Sequence, residues 1–198
     1  MPKKKVIIVN TNIGKNTQFV EKLKEFLDLM KVDTKIINGW ENKNPLELKP
    51  THIILSAVPP SSNFSLSEPE NQKLVKKHFS WLKKAKCPVL GICYGHQIIS
   101  FIFGGKVSKL KKMRYKENYK LSIPYNETIF KDIKSISVNV THHNYTSKMP
   151  KGFKLITQKH KVPYIIYNPK KKMYGFQFHP YYQDFITVEL LRRFLELK

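Results

Sequence analysis

Residues 87–97, CPVLGICYGHQ, pass from an apolar run straight into a helix-like segment, with glycines at 91 and 95 bracketing Cys93. Cys87-Pro-Val-Leu-Gly-Ile92 has the short, continuous apolar character of a strand buried on both faces. Residues 94–103 continue as a helix that stops at Gly104-Gly105. The G-x-C-x-G spacing is that of a nucleophile elbow, a turn so tight that its tip is strained and a side chain two positions either side would strike the neighbouring strand or helix. A thiol at the tip also faces the positive end of the helix dipole, which favours the attacking thiolate. Free cysteine is otherwise often a small buried apolar residue. Two glycines at these positions, in a chain with eight in all, favour the elbow.

Working outward, the elbow strand is the fourth of a β-α-β series. Residues 5–9, KVIIV, form an apolar strand ending in the loop Asn10-Thr-Asn-Ile-Gly14. A helix follows, with Phe19, Leu23, Phe26, Leu27 and Met30 on one face and Asn16 or Thr17 as its cap. Residues 32–37 and 52–56 read as the second and third strands, separated from the elbow by a Pro/Ser-rich loop and a helix. That helix is predicted to start at a capping box, Ser67-Glu-Pro-Glu70, and to turn Leu74, Val75, Phe79 and Leu82 inward. Beyond Val107 the pattern changes to strands at 117–123, 135–141, 153–158, 162–167 and 173–178, closed by an amphipathic helix over 184–197. The whole of 1–198 therefore reads as one α/β domain: a mostly parallel central sheet with helices on both faces, extended or covered by the later strands. In such sheets chemistry collects at the carboxyl ends of the strands.

Composition narrows the function classes. Thirty-six Lys plus Arg against fourteen Asp plus Glu gives a net charge of +22, which attracts polyanions and acidic partners. Only Arg114, Arg192 and Arg193 are arginines, however, and the lysines are spread along the chain with no nucleic-acid-binding motif, so a solvated Lys-rich surface is the simpler reading and nucleic acid the lesser one. Cys87 and Cys93 are six apart, matching neither a redox pair nor a zinc-ligand spacing. No window has the length of a signal peptide or membrane span, which predicts a cytoplasmic chain with reduced thiols and no membrane contact. No metal or organic cofactor is expected, since the His and Cys residues form no convincing ligand set.

The motif residues carry a family resemblance. Leu90-Gly-Ile-Cys-Tyr-Gly-His-Gln97 resembles the nucleophile motif of class I glutamine amidotransferases, a flavodoxin-like fold, and Gly175-Phe-Gln-Phe-His-Pro180 resembles their G-x-Q-F-H-P histidine segment. Thr141-His-His-Asn144 and Pro150-Lys-Gly-Phe153 are similar to the S-H-x-D and P-x-G-F segments of the branch that serves GMP synthetases. The resemblance implies Cys93 as nucleophile and His179 as base, with His96, His142 and His143 ranking behind it. It further implies an oxyanion site from Tyr94 and the Ala57-Val58 loop, and glutamine held by Gln97, Ala57, His143 and Asn144. Gln97 could equally cap polar groups of its own helix. The implied reaction is thiol acyl transfer: Cys93 attacks the side-chain amide, His179 protonates departing ammonia, and water then cleaves the thioester.

Three positions depart from the pattern. Tyr181 stands where the family usually has the Glu that orients the imidazole, and Asp184 is the nearest downstream carboxylate, a candidate replacement. Ser56-Ala-Val-Pro59 stands in place of S-G-G-P, so β-branched Val58 occupies a site that usually tolerates positive φ. Asn144 replaces the usual Asp. The chain ends before any ATP-binding domain and has no P-loop, so the resemblance implies a glutaminase delivering ammonia to a separate synthetase of ATP pyrophosphatase type. A γ-glutamyl hydrolase or peptidase on the same fold, or a degenerate binding or regulatory module, are the alternatives.

Overall fold

The computed structural model describes residues 4–13, 17–59, 64–181 and 184–198. Alternate side chains of a strand point to opposite faces, and the first strand, β1 (Lys5–Asn10), buries both: Val6 and Ile8 enter one core, Ile7 and Val9 another. A strand buried on both sides must lie inside a sheet. β1 pairs in parallel with β2 (Asp33–Asn38) on one side and with β3 (His52–Leu55) on the other, and β3 pairs with β4 (Val89–Ile92). Helix α1 (Gln18–Leu29) returns the chain from β1 to β2, and helix α2 (Pro69–Phe79) runs between β3 and β4. Helix α3 (Tyr94–Ile102) leaves β4 directly.

The later strands both cover and extend this sheet. β5 (Lys106–Ser122) and β6 (Ser135–Lys148) form a separate antiparallel ribbon. β7 (Lys154–Lys159), β8 (Val162–Asn168) and β9 (Met173–Phe176) join the main sheet in the order β2-β1-β3-β4-β9-β8-β7. The last strand inserts beside the elbow strand, parallel to it, with Gly91 opposite Gly175 and Ile92 opposite Phe176. Helix α4 (Phe185–Glu196) follows. One core holds α1, α4 and the inner face of the ribbon (Tyr119, Leu121, Ile136, Val138, Val140); the other holds α2 and α3 (Val75, Phe79, Ile98, Ile99). The mostly parallel α/β sheet expected from the sequence is the one that forms.

Several local expectations are corrected. β5 begins at Lys106 and β6 ends at Lys148, so the ribbon is far longer than 117–123 and 135–141. Its proximal half is Lys-rich and mostly solvent-facing, with register breaks between Lys109 and Glu117, so it lacks the β-branched alternation that marks a strand. The capping box at Ser67 does not form: α2 starts after Glu68 with Pro69 in its first turn, and the Ser67 hydroxyl donates to the Glu68 carboxylate. Leu74 is accordingly exposed, while Val75 and Phe79 are buried. Thr17 precedes α1, but its hydroxyl donates to Glu21 at 2.6 Å and caps no backbone N–H. The other candidate cap, Asn16, lies outside the described residues. No helix among the described residues is long and apolar enough to cross a membrane.

Close backbone approach sets the position of α3. A Cβ on Gly95 would sit 2.5 Å from the Leu55 carbonyl oxygen, and one on Gly91 would sit 2.5 Å from the Gly95 carbonyl. Backbone cannot swing aside as a side chain can. Gly95→Ala is therefore expected to lower stability by about 1–3 kcal/mol, read as a reduced midpoint of urea unfolding. A second expectation concerns acid. Burial, the larger cause in each case, lowers His52 and His96 to about 4 from an unfolded value near 6.5. Between these limits the unfolded chain binds more protons, so stability falls as pH drops from 6.5 toward 4, by roughly 3 kcal/mol for each such histidine. Urea midpoints at pH 7 and pH 5 should show the fall, and His52→Phe, whose ring can keep the edge-on contact with Phe194, should shrink it.

Candidate active site

The elbow follows from the fold. The Cys93 N–H donates to the Phe176 carbonyl at 2.7 Å, extending the β4–β9 ladder by one bond, and the Gln97 N–H donates to the Cys93 carbonyl at 3.2 Å, opening α3. One residue thus ends a strand and begins a helix, which forces Cys93 to φ 50°, ψ −99°. Such a backbone costs on the order of 1–3 kcal/mol and persists only where neighbours over-determine it. Glycines 91 and 95 supply that constraint, as their spacing in the sequence implied.

The sulfur is almost dry, Cys93 being 7% exposed. Burial pushes its thiol up to about 12, against the smaller opposing pulls of the Tyr94 N–H and the Gln177 side chain. The helix dipole therefore does not make a resting thiolate here, contrary to expectation: desolvation outweighs it. Gln177 Nε2 approaches the sulfur at 3.6 Å. Gln177 is reached through the strand pairing and was not singled out from the sequence; its polar side chain inside the apolar run Tyr174–Phe178 was the available signal.

A pocket of about 180 Å³ opens on Cys93 and brings together most of the expected residues: Val58, Tyr94, Gln97, His143 and Asn144. Gln97 caps no group of its own helix among the described residues. Its Nε2 donates to the Asn144 carbonyl at 2.9 Å, tying α3 to the ribbon, while its buried Oε1 has no partner among the described residues. The Asn144 Oδ1 accepts from the Ser65 hydroxyl at 2.9 Å, and His143 Nε2 lies 3.0 Å from the Leu110 carbonyl, to which it donates. The Val58 loop is anchored from below by Thr11, whose N–H donates to Ser56 Oγ at 3.1 Å and whose hydroxyl donates to the Ser56 carbonyl at 2.8 Å. Ala57 itself is buried in the core, away from the pocket wall.

His142, ranked behind His179 in the sequence, is nevertheless part of the pocket lining, with Nδ1 3.1 Å from the Asn144 carbonyl and Nε2 3.1 Å from the Tyr164 hydroxyl. The alternation Ile136, Val138, Val140, His142 along β6 would have pointed it inward. Burial holds it at about 4, so it is neutral at pH 7.

His179 lies two residues past Gln177, beyond the end of β9. Its ring meets Phe19 of α1 edge-on at 5.2 Å and lies parallel to the Tyr181 ring at 6.0 Å. It makes no hydrogen bond to Cys93 among the described residues. Loss of solvent, with a smaller contribution from the neighbouring His142 charge, lowers it to about 4. Tyr181, 3% exposed, thus puts an aromatic face beside the ring, at the position where the resemblance implied a carboxylate. Asp184 does not replace that carboxylate: its oxygens accept from the Thr187 N–H at 2.8 Å, capping α4, and from the Ser137 N–H at 3.1 Å, fastening β6. No group of three or more His, Cys, Asp or Glu among the described residues is placed to bind a metal.

Comparisons with known proteins identify what the chain is similar to. The chain is 33% identical over 171 residues to a glutamine-hydrolysing GMP synthase subunit of Archaeoglobus fulgidus, covering 84% of this chain and 85% of that one. It is 29% identical over 182 residues to the GMP synthase of Aquifex aeolicus, covering 91% of this chain but only 33% of the longer relative. The crystal structure of a Thermoplasma acidophilum chain proposed to be the corresponding GMP synthase subunit superposes with a TM-score of 0.77 at 24% identity, covering 98% and 93% of the two chains, which speaks for the fold. Residues 13–193 match the family of class I glutamine amidotransferases, and the chain belongs to that family.

Proposed function

We propose that the chain is a glutaminase subunit: it hydrolyses the side-chain amide of glutamine at Cys93 and supplies the ammonia to a separate synthetase of GMP synthase type, an ATP pyrophosphatase. One observation carries the reading, the strained Cys93 elbow opening on a pocket whose volume suits an amino acid, below the 300–1,000 Å³ typical of larger ligands. The likeness to GMP synthase subunits over most of their length supports the choice of partner.

In this reading both catalytic groups start neutral. Substrate entry brings His179 onto the Cys93 thiol, the imidazole takes its proton, and the sulfur forms a bond to the amide carbon. Catalytic contacts that are long in an empty site commonly tighten in the complex. The tetrahedral oxyanion is received by the Tyr94 N–H and the N–H of Val58, with Gln97, His143 and Asn144 bounding the substrate. The C–N bond breaks as His179 returns the proton to ammonia. His179 then draws a proton from water, which attacks the thioester carbon and releases glutamate and the thiol. With Tyr181 beside it, His179 lacks the carboxylate that stabilises an imidazolium, so docking of the synthetase is assigned the task of completing the site.

Glutamine hydrolysis by the wild type, measured with and without the purified synthetase, should be stimulated by it. Cys93→Ala should abolish turnover, and His179→Ala should reduce it by about 10²–10⁴-fold. Equal activity of wild type and Cys93→Ala in the presence of the synthetase would favour a binding module instead. The titration order gives a separate check. Because the thiol ionises only far above neutrality, alkylation of Cys93 by iodoacetamide should climb steadily from pH 6 to pH 9; a plateau across that range would mean a resting ion pair.

A further inference from the structure

The pocket beside Cys93 is charged on one side only. Among the described residues that line it, Lys109 is the one carrying a fixed charge: Cys93 and His142 are neutral there, and no Asp or Glu takes part. Residues 60–63, which follow the lining residue Pro59 in the sequence, include no charged side chain. Lys109 sits on β5 directly opposite Asn144 on β6, so the ribbon holds this exposed residue at the edge of the pocket lining. Its ammonium has no ion-pair partner among the described residues. The acid available on the same strand, Glu117, is engaged by Arg114 and the Tyr119 hydroxyl. An unpaired cation at the rim of a small, mostly uncharged cleft attracts one kind of group, an anion on the ligand.

Glutamine carries such an anion, its α-carboxylate, four carbon–carbon bonds from the amide carbon. With the amide carbon set at Cys93, the α-carboxylate would extend toward Lys109, while the described lining residues offer the α-ammonium no Asp or Glu. We propose that Lys109 is the specificity-determining residue of this pocket, receiving the α-carboxylate, and that the site selects γ-amides bearing that carboxylate with little regard for the α-amino group. The proposal rests on the reading that a glutamine-type amide enters the Cys93 pocket. A lysine suits the role because a compact point charge on a flexible stem can follow a carboxylate without a fixed fork geometry.

The test uses the full chain and two reagents that both alkylate Cys93: the diazoketone analogue of glutamine, which carries the α-carboxylate, and neutral iodoacetamide. Lys109→Met should slow the diazoketone about tenfold, the range of one charge-assisted contact, and leave iodoacetamide unchanged. Lys109→Arg, keeping the charge, should retain most of the wild-type rate. Where turnover is measurable, the same Met variant should raise KM for glutamine and leave kcat, and glutaramate, which lacks the α-amino group, should be hydrolysed while glutamine α-amide is refused. An unchanged ratio of the two labelling rates in Lys109→Met overturns the proposal. Absence of glutamine hydrolysis alongside a changed ratio overturns the glutaminase reading and leaves Lys109 as the carboxylate anchor.

Discussion

Everything at the site depends on how closely the first turn of α3 presses on strands β3 and β4. Glycine at 91 and 95 permits backbone-to-backbone contact that any Cβ would block by 2.5 Å encounters with carbonyl oxygens. With the helix that close, Cys93 has no relaxed conformation open to it and is held at φ 50° by bonds on both sides, to Phe176 and from Gln97. The strain is local, while its support is distributed: β9 supplies the acceptor, α3 the first helical bond, and the Thr11–Ser56 link steadies the neighbouring loop.

The same packing that fixes the sulfur also dries it, and dryness sets the electrostatics. Burial drives the thiol upward and the nearby imidazoles downward, so the resting site holds no ion pair. In the proposed reaction charge would appear only as the thiol attacks, where preorganised N–H groups of the elbow would count for most. Tyr181 stands where the family resemblance would place the carboxylate that orients the imidazole. A buried aromatic ring parallel to His179 can fix the plane of the imidazole but cannot neutralise an imidazolium, whereas a carboxylate there would do both.

Long-range charge works in the other direction. A net charge of +22 raises the local concentration of anions around the molecule, and Lys109 brings that sign to the rim of the pocket. The arginines, by contrast, are largely occupied locally: Arg192 and Arg193 both grip Glu189 on α4. Such surface pairs add little to stability, so the packed cores on the two faces of the sheet carry the fold.

By itself the sequence determined the alternation of strands and helices, the elbow at Cys93 and the segments bearing His179 and Asn144, because periodicity and glycine spacing are local properties. It located β5 and β6 only in part, since a Lys-rich, bulged ribbon with one face in water lacks the alternating apolar signature. It also misread Ser67 as a cap and Asp184 as a catalytic candidate, because which hydrogen bond a side chain makes depends on what lies opposite it. Only the tertiary structure inserted β9 beside β4, which brings Gln177 to the sulfur, turned His142 into the pocket wall and set Lys109 against Asn144. Those contacts join residues far apart in the chain, and their selection rests on the burial of both sheet faces as a whole. Desolvation of Cys93 is likewise a property of the assembled core, which is why the sequence could place the thiol at an elbow but not give its protonation state.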